Sequence, residues 1–285
     1  MSVRLAKFFS TEIISADSRQ FYRKLTIGTA KPGIAEQDGI VHHFIDHLDP
    51  GELYDIGKFE SEALATLEKI FLQNDNAIMT GGSGLYIQAV CYGLDELPER
   101  DPDLRATLED ALEKEGIEVL QAMLLKLDPA YYQTVDLRNP QRLIRAIEVC
   151  MKSDVPYSSL RTSKSVVRDF RIIMIGLDIP REILYERINR RVDEMMKQGL
   201  LEEVQSLLPF RNSNSMQTVG YRELLEFIDE KISLEDAVEL IKRNTRRYAK
   251  RQMTWFRKVP SIQWFNYDDT ESIIRHIQKE TGIQK

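Results

Sequence analysis

Residues 12–18 read EIISADS. Ile13 and Ile14, followed by the small Ser15 and Ala16, form a short β-branched run of the kind found in a strand covered on both faces. Asp17 and Ser18 stand where that strand ends. In open parallel sheets, ligands bind beyond the carboxyl ends of the strands. An acid there can act as a general base or hold a metal. It can equally cap the next turn through its own backbone. Upstream, Ser2–Phe9 (SVRLAKFF) reads as a helix. Helix, buried strand and strand-end acid belong to an α/β alternation, and the rest of the chain extends it.

Three further stretches read as core strands: VHHFIDHL at 41–48, NAIMTGG at 76–82 and FRIIMIGLDIP at 170–180. The first, third and fourth of the four strands are near-continuous apolar runs, as in parallel strands with helices on both faces. Between them, 56–72 carries Phe59, Ala63, Leu67 and Ile70 at helical spacing. This pattern predicts a doubly wound parallel sheet. The middle of the chain differs, with no strand expected from Asp101 to Lys152. Asp101-Pro102 places a cap before a proline at the first helical position, Leu104, Leu108 and Leu112 share a face, and Gly116 ends the pattern. A second helix spans 117–127, and a third starts at Asn139-Pro140 with Leu143, Ile144 and Ile147. An all-helical insertion, 101–167, is therefore expected to interrupt an α/β core made of 1–100 and 168–285. Helices are expected at 181–199 and 200–208, and from Ser233 through Arg257.

The 285 residues are 42% hydrophobic and 29% charged, enough apolar content for a real core. No apolar run is long enough to span a bilayer, and the N-terminal residues lack a secretory layout, so no membrane partner and a cytoplasmic location are expected. Cys91 and Cys150 lie far apart, outside any metal-ligand spacing, and read as reduced, buried thiols. His42, His43 and His47 lack an H-x-x-x-H arrangement with an accompanying Glu and read as core or surface histidines. The net charge of −6 is uneven. Residues 239–258 hold eight cations against Glu239 alone, a local charge of +7 that leaves −13 on the rest of the chain. Such a segment in an acidic protein points to a localised polyanion contact.

Four further constellations carry chemistry. Gly81-Gly82-Ser83-Gly84-Leu85-Tyr86 follows a strand; its glycines allow close approach of a ligand to the backbone, or simply make a tight turn. It is not a Walker A loop, having no lysine in the required place. Gln141 and Arg145 share a helical face with Arg142 beside them, suiting phosphate or forming a solvated charged face. Arg187 and Arg191, one turn apart near Arg190, could clamp a diphosphate or pair with Glu186 and Glu194. Arg243, Arg247, Lys250 and Arg251 form a stripe widened by Lys242 and Arg246 and interleaved with Tyr248, Trp255 and Phe256, which favours nucleic acid.

Seven segments, in order, resemble one family: IISADSRQFYRKLTIGTAKP, HHFID, GGSGLYIQAV, LPERDPDLR, NPQRLIRAIEV, TVGYRELLEF and AKRQMTWFRK. Together they are similar to the tRNA dimethylallyltransferases (tRNA isopentenyltransferases), and the similarity runs over essentially the whole chain. The resemblance implies an α/β, P-loop-NTPase-like parallel sheet flanked by helices, with an all-helical insertion domain. It implies transfer of a dimethylallyl group from dimethylallyl diphosphate to N6 of the adenosine 3′ of the anticodon, giving N6-isopentenyladenosine. The base must leave its stack to react. The implied partners are the tRNA anticodon stem-loop and the diphosphate donor, the implied cofactor is Mg²⁺, and the implied state is a monomer. Asp17 is the implied general base, with Ser18, Arg19 and Gln20 holding the flipped nucleotide. Ser83, where the family usually has threonine, Arg105 and Gln141, Arg142, Leu143, Ile144 and Arg145 are implied tRNA contacts. Arg187 and Arg191 are the implied diphosphate ligands, the 101–167 insertion would grip the anticodon arm, and Arg243, Arg247, Lys250 and Arg251 would meet stem phosphates.

The sequence departs from the family at its start. Members open with a strand and a nucleotide-binding P-loop of the form GPT-x-x-GK[ST], and residues 1–10 correspond to the helix that follows it. The first strand and the P-loop are thus expected to be missing from the fold, leaving the metal-binding hydroxyl unassigned. The alternative expectation is a catalytically impaired tRNA-binding paralogue or fragment. A small-molecule kinase relative shares the architecture, but the +7 segment and the helical insertion speak against it.

Overall fold

A computed structural model describes residues 1–162 and 165–282. The expected link back to the sheet at 162–165 falls partly outside the described residues. One compact unit comprises Met1–Cys91 with Arg168–Lys285, and another comprises Tyr92–Val167.

The first unit holds five strands: β1 (Ile13–Ser15), β2 (His42–His43), β3 (Ile78–Thr80), β4 (Met174–Asp178) and β5 (Ile262–Asn266). All pairings are parallel. They form two sheets, ordered β2-β1-β3 and β4-β5, among the described residues. The single doubly wound sheet expected from the sequence is therefore divided, and β5 joins strands read from the sequence. Burial follows this division. β1 is central, so Ile13 and Ile14 are fully buried, each side chain contributing about 1.5–3 kcal/mol. β3 is half-buried and β4 ends exposed, because each is flanked by a strand on one side only. Only His42 and His43 of VHHFIDHL are strand. His43 Nε2 meets Glu12 Oε2 at 2.5 Å, and His47 sits edge-on to the rings of Phe21, Phe44 and Tyr54.

The helices form where caps and periodicity place them. Ser2–Phe9 buries Leu5, Ala6 and Phe9, and its Leu5 and Phe9 pack with Ile273 beneath Ile78, Ile175 and Phe265 of three strands. Ile56–Phe71 buries Phe59, Ala63, Leu67 and Ile70, the four apolar positions at helical spacing. Leu234–Phe256 is capped by Ser233, whose Oγ accepts from Asp236 N at 3.0 Å. Glu235 and Asp236 lie in its first turn, where carboxylates complement the helix dipole.

The second unit is helical. Asp101 caps Pro102–Glu115, accepting from the amides of Asp103 and Leu104. Gly116, at φ 83°, ends that helix and opens Ile117–Leu127. Pro140–Ser153 follows its Asn139 cap. Leu108, Leu120, Leu124, Leu143, Ile144 and Ile147 make the core of this unit. Both cysteines are free and buried; burial pushes the Cys91 thiol up to about 11. No described helix is long and apolar enough to cross a membrane.

Candidate active site

Register builds the site. Ser15 pairs with Thr80 in the parallel β1–β3 ladder, so Asp17 and Gly82 each lie two residues beyond a matched pair. The glycine loop thus runs beside the acid at one end of the sheet. Ala16 N donates to Thr80 O at 2.7 Å, and Ser83 N donates to Ala16 O at 3.3 Å. A Cβ on Gly81 would lie 2.4 Å from Ala16 O, so the two backbones approach too closely for a side chain there. The absence of side chains at Gly81, Gly82 and Gly84 lets Ala16, Gln252 and Trp255 pack against the loop.

Asp17 is half-buried. Desolvation raises its carboxyl above the ordinary range, opposed by the amides of Arg19 and Gln20 and by the Arg19 and Arg191 cations. Its Oδ1 accepts from Arg19 N at 3.0 Å. The carboxylate therefore does cap the turn, and it also remains partly open. Ser18 N donates to Ser83 Oγ, and the two hydroxyls meet, both at 3.2 Å. Arg19 Nη1 donates to Asn214 O at 2.8 Å. Gln20 Nε2 donates to Thr29 O at 3.2 Å and Ala30 O at 3.3 Å.

The basic helix closes this cluster. Gln252 Nε2 donates to Gly82 O at 3.0 Å, and the Trp255 ring covers Gly84. The Tyr248 phenol lies beside Ser83, Gln252 and Asp17; desolvation first, then the Asp17 charge, pushes its pKa up. Tyr248 and Gln252 are the residues that sequence spacing passed over. Tyr248 stood out there only as an aromatic among cations, and Gln252 only as a letter of AKRQMTWFRK.

The cations of that helix divide into two sets. Lys242 Nζ pairs with Asp193 at 2.8 Å, and Arg246 Nη1 donates to Asn189 Oδ1 at 2.5 Å, so both are engaged with helix Arg181–Lys197. Arg243, Arg247, Lys250 and Arg251 are exposed and form no ion pair among the described residues. The stripe drawn from sequence is thus narrower than eight cations suggested. Arg191 lies near enough to act on Asp17 and forms no ion pair among the described residues. Arg187 stacks on Tyr267 at 4.3 Å, and Arg190 meets Glu194 at 3.8 Å.

In the helical unit, Arg105 bonds Glu109 and Gln141. Arg142 is exposed, whereas Leu143 and Ile144 are fully buried, so their side chains build the core and not a surface. Arg145 donates to Glu148 Oε2 at 2.9 Å and to Pro98 O at 2.8 Å. Glu148, fully buried, also accepts from Asp101 N at 2.6 Å. No group of three or more His, Cys, Asp or Glu residues that could hold a metal exists among the described residues.

An acid at the carboxyl end of a parallel strand, faced by unneutralised cations, is the arrangement of a ligand-binding α/β protein, and solved structures similar to this one share the P-loop-like fold. The crystal structure of the tRNA isopentenylpyrophosphate transferase of Bacillus halodurans matches with a TM-score of 0.69 at 37% identity, covering 99% of this chain and 90% of that one. A structure described as a eukaryotic dimethylallyltransferase acting on tRNA matches with a TM-score of 0.80 at 27% identity, covering 99% of this chain and 76% of that one. The tRNA dimethylallyltransferase of Christiangramia forsetii is 48% identical over 281 residues, 98% of this chain and 93% of that protein. That of Flavobacterium johnsoniae is 49% identical over 284 residues, 97% of this chain and 92% of that protein. The family described as IPP transferase matches residues 20–259. The chain belongs to the IPP transferase family.

Proposed function

We infer that this protein is a tRNA-modifying prenyltransferase, which moves a dimethylallyl group from dimethylallyl diphosphate to N6 of the adenosine 3′ of the anticodon. The observation that carries the assignment of its base is Asp17, partly desolvated at the end of β1 and bordered by Ser83 and Tyr248. In the reaction, the N6 nitrogen forms a bond to C1 of the dimethylallyl group while the C1–O bond breaks. The bonding pair leaves with the diphosphate, and the N6 proton passes to the Asp17 carboxylate. Desolvation makes that carboxylate a better proton acceptor than one in water.

The nucleotide is held by Ser18, Arg19, Gln20 and Ser83, which cluster at the strand end. Arg191, exposed and without an ion pair among the described residues, suits the departing diphosphate better than Arg187, which is occupied by Tyr267. The helical unit grips the anticodon arm through Arg105, Gln141 and Arg142, with Arg145 shaping that helix. The exposed Arg243, Arg247, Lys250 and Arg251 meet stem phosphates. Mg²⁺ would be held chiefly by the donor's diphosphate oxygens and water, and would stabilise charge on the leaving group; the described residues add no group of three or more His, Cys, Asp or Glu to hold it. The protein works as a cytoplasmic monomer. The similarity to tRNA dimethylallyltransferases at 48% and 49% identity over nearly the whole chain favours an enzyme over a silent tRNA binder.

The test is incubation of the full chain with dimethylallyl diphosphate and an anticodon stem-loop carrying the adenosine. N6-isopentenyladenosine and free diphosphate in equal amounts are expected. RNA binding without either product would replace the enzyme by the silent binder.

A further inference from the structure

We infer that Glu203 is a positioning residue for the Asp17 turn, acting through the loop Leu25–Lys31; this rests on the reading of Asp17 as the base. Glu203 lies in helix Leu200–Ser206, remote in sequence from every strand-end residue. Its carboxylate nevertheless gathers four donors. Oε2 accepts from Thr26 N at 3.0 Å and Ile27 N at 2.8 Å. Oε1 accepts from Gly28 N at 3.1 Å and the Tyr221 hydroxyl at 2.6 Å. Three successive amides on one carboxylate fix a loop that has no regular secondary structure to satisfy them. The fully buried Tyr221 ring packs directly on Gly28, where an added Cβ would lie 2.4 Å from it.

The next two residues carry that order to the catalytic turn. The carbonyls of Thr29 and Ala30 both accept from Gln20 Nε2. Gln20 N in turn donates to Asp17 O at 3.1 Å. The chain of contacts runs from Glu203 through residues 26–30 and Gln20 to Asp17. At the far end of the loop, the buried Lys31 ammonium donates to Tyr22 O at 2.7 Å and pairs with Asp46 at 2.5 Å. Glu203 and Lys31 thus anchor opposite ends of the segment that orients Gln20. A carboxylate is required because only acceptor oxygens can serve all four donors, whereas an amide would turn a donor toward them.

The test compares Glu203→Gln and Tyr221→Phe with the wild type by residue-resolved amide hydrogen exchange and by single-turnover transfer to an anticodon stem-loop. In Glu203→Gln, faster exchange is expected at Thr26, Ile27 and Gly28 and also at Arg19 and Gln20. The transfer rate should fall by about 10- to 100-fold, the range a small misplacement of a catalytic group produces. RNA affinity should stay within about twofold, since the exposed cations are elsewhere. Tyr221→Phe keeps all three amide bonds and should leave exchange at Arg19 and Gln20 unchanged. Should Glu203→Gln fail to fold, Glu203→Asp, which keeps the charge and shortens the reach, gives the same comparison at smaller amplitude. Loosening confined to residues 26–28, with Arg19, Gln20 and the transfer rate unaltered, would overturn the positioning role. If the wild type itself transfers nothing, the proposed function fails, and the exchange at Arg19 and Gln20 still decides the role of Glu203.

Discussion

Gln252 donates from its side-chain amide to the carbonyl of Gly82 at 3.0 Å, joining the basic helix to the glycine loop across 170 residues of sequence. This hydrogen bond makes one surface of a cationic helix and a strand-end acid. The helix that carries the exposed cations also brings Tyr248 and Gln252 to the wall around Asp17.

The two adjacent glycines of the loop should respond differently to a methyl group. In Gly81→Ala the new Cβ would meet the Ala16 carbonyl, which is backbone just past the end of β1 and cannot step aside. A loss of about 1–3 kcal/mol is expected, the usual cost of overpacking. In Gly82→Ala the new Cβ would meet Gln252 Nε2, the end of a flexible side chain. That variant should lose less stability while giving up the Gln252 hydrogen bond. Urea unfolding of both variants decides the order.

Asp17→Asn should raise thermal stability near neutral pH. The folded-state pKa of Asp17 is raised, chiefly by burial. A raised acid contributes stability that is present below its unfolded pKa and is lost as pH rises through its folded value. At pH 7 the ionised carboxylate therefore works against the fold, and the neutral amide removes that penalty. The gain should shrink toward pH 4, where the carboxyl takes up its proton. Melting curves of the two proteins at both pH values check the sign.

Cations on the basic helix should separate by their partners. Arg247→Ala with Arg251→Ala should weaken RNA binding and lower the salt dependence by about one unit of slope for each phosphate that is no longer neutralised. Lys242→Ala should act on stability instead, because Lys242 pairs with Asp193 and Glu239. Binding titrations between low and moderate salt distinguish the two classes.

In the helical unit, Arg145→Ala should be far more damaging to the fold than Arg142→Ala. Removing Arg145 leaves the buried Glu148 carboxylate with the Asp101 amide as its remaining partner. Stripping one partner from a buried pair costs about 3–5 kcal/mol. Arg142 is exposed, so its loss should show in RNA affinity and not in melting.

Much of this was legible in sequence where the cause is local. Asp101, Asn139 and Ser233 announce their helices because a cap needs only its own next turn. Ile13-Ile14 announces a central strand because both faces are apolar. β5 was not legible, since IQWFN is short, alternates with exposed positions and follows a helix with no glycine stop. Helical spacing showed a cationic stripe, but not which of its edges another helix would neutralise; Lys242 and Arg246 are taken up in that way. Leu143 and Ile144 share a motif with Arg142 yet face the core, and a motif does not tell the side chains that touch RNA from those that shape the helix. Glu203 carried no signal at all. Its four donors lie in two distant segments, and only the folded chain brings them together.

The most direct test is single-turnover transfer of the dimethylallyl group to an anticodon stem-loop by the wild type and by Asp17→Asn, with RNA affinity measured alongside. A rate loss of at least about 100-fold at unchanged affinity is expected, as for removal of a general base. A variant that transfers at the wild-type rate would contradict the assignment of Asp17 as the group that takes the N6 proton.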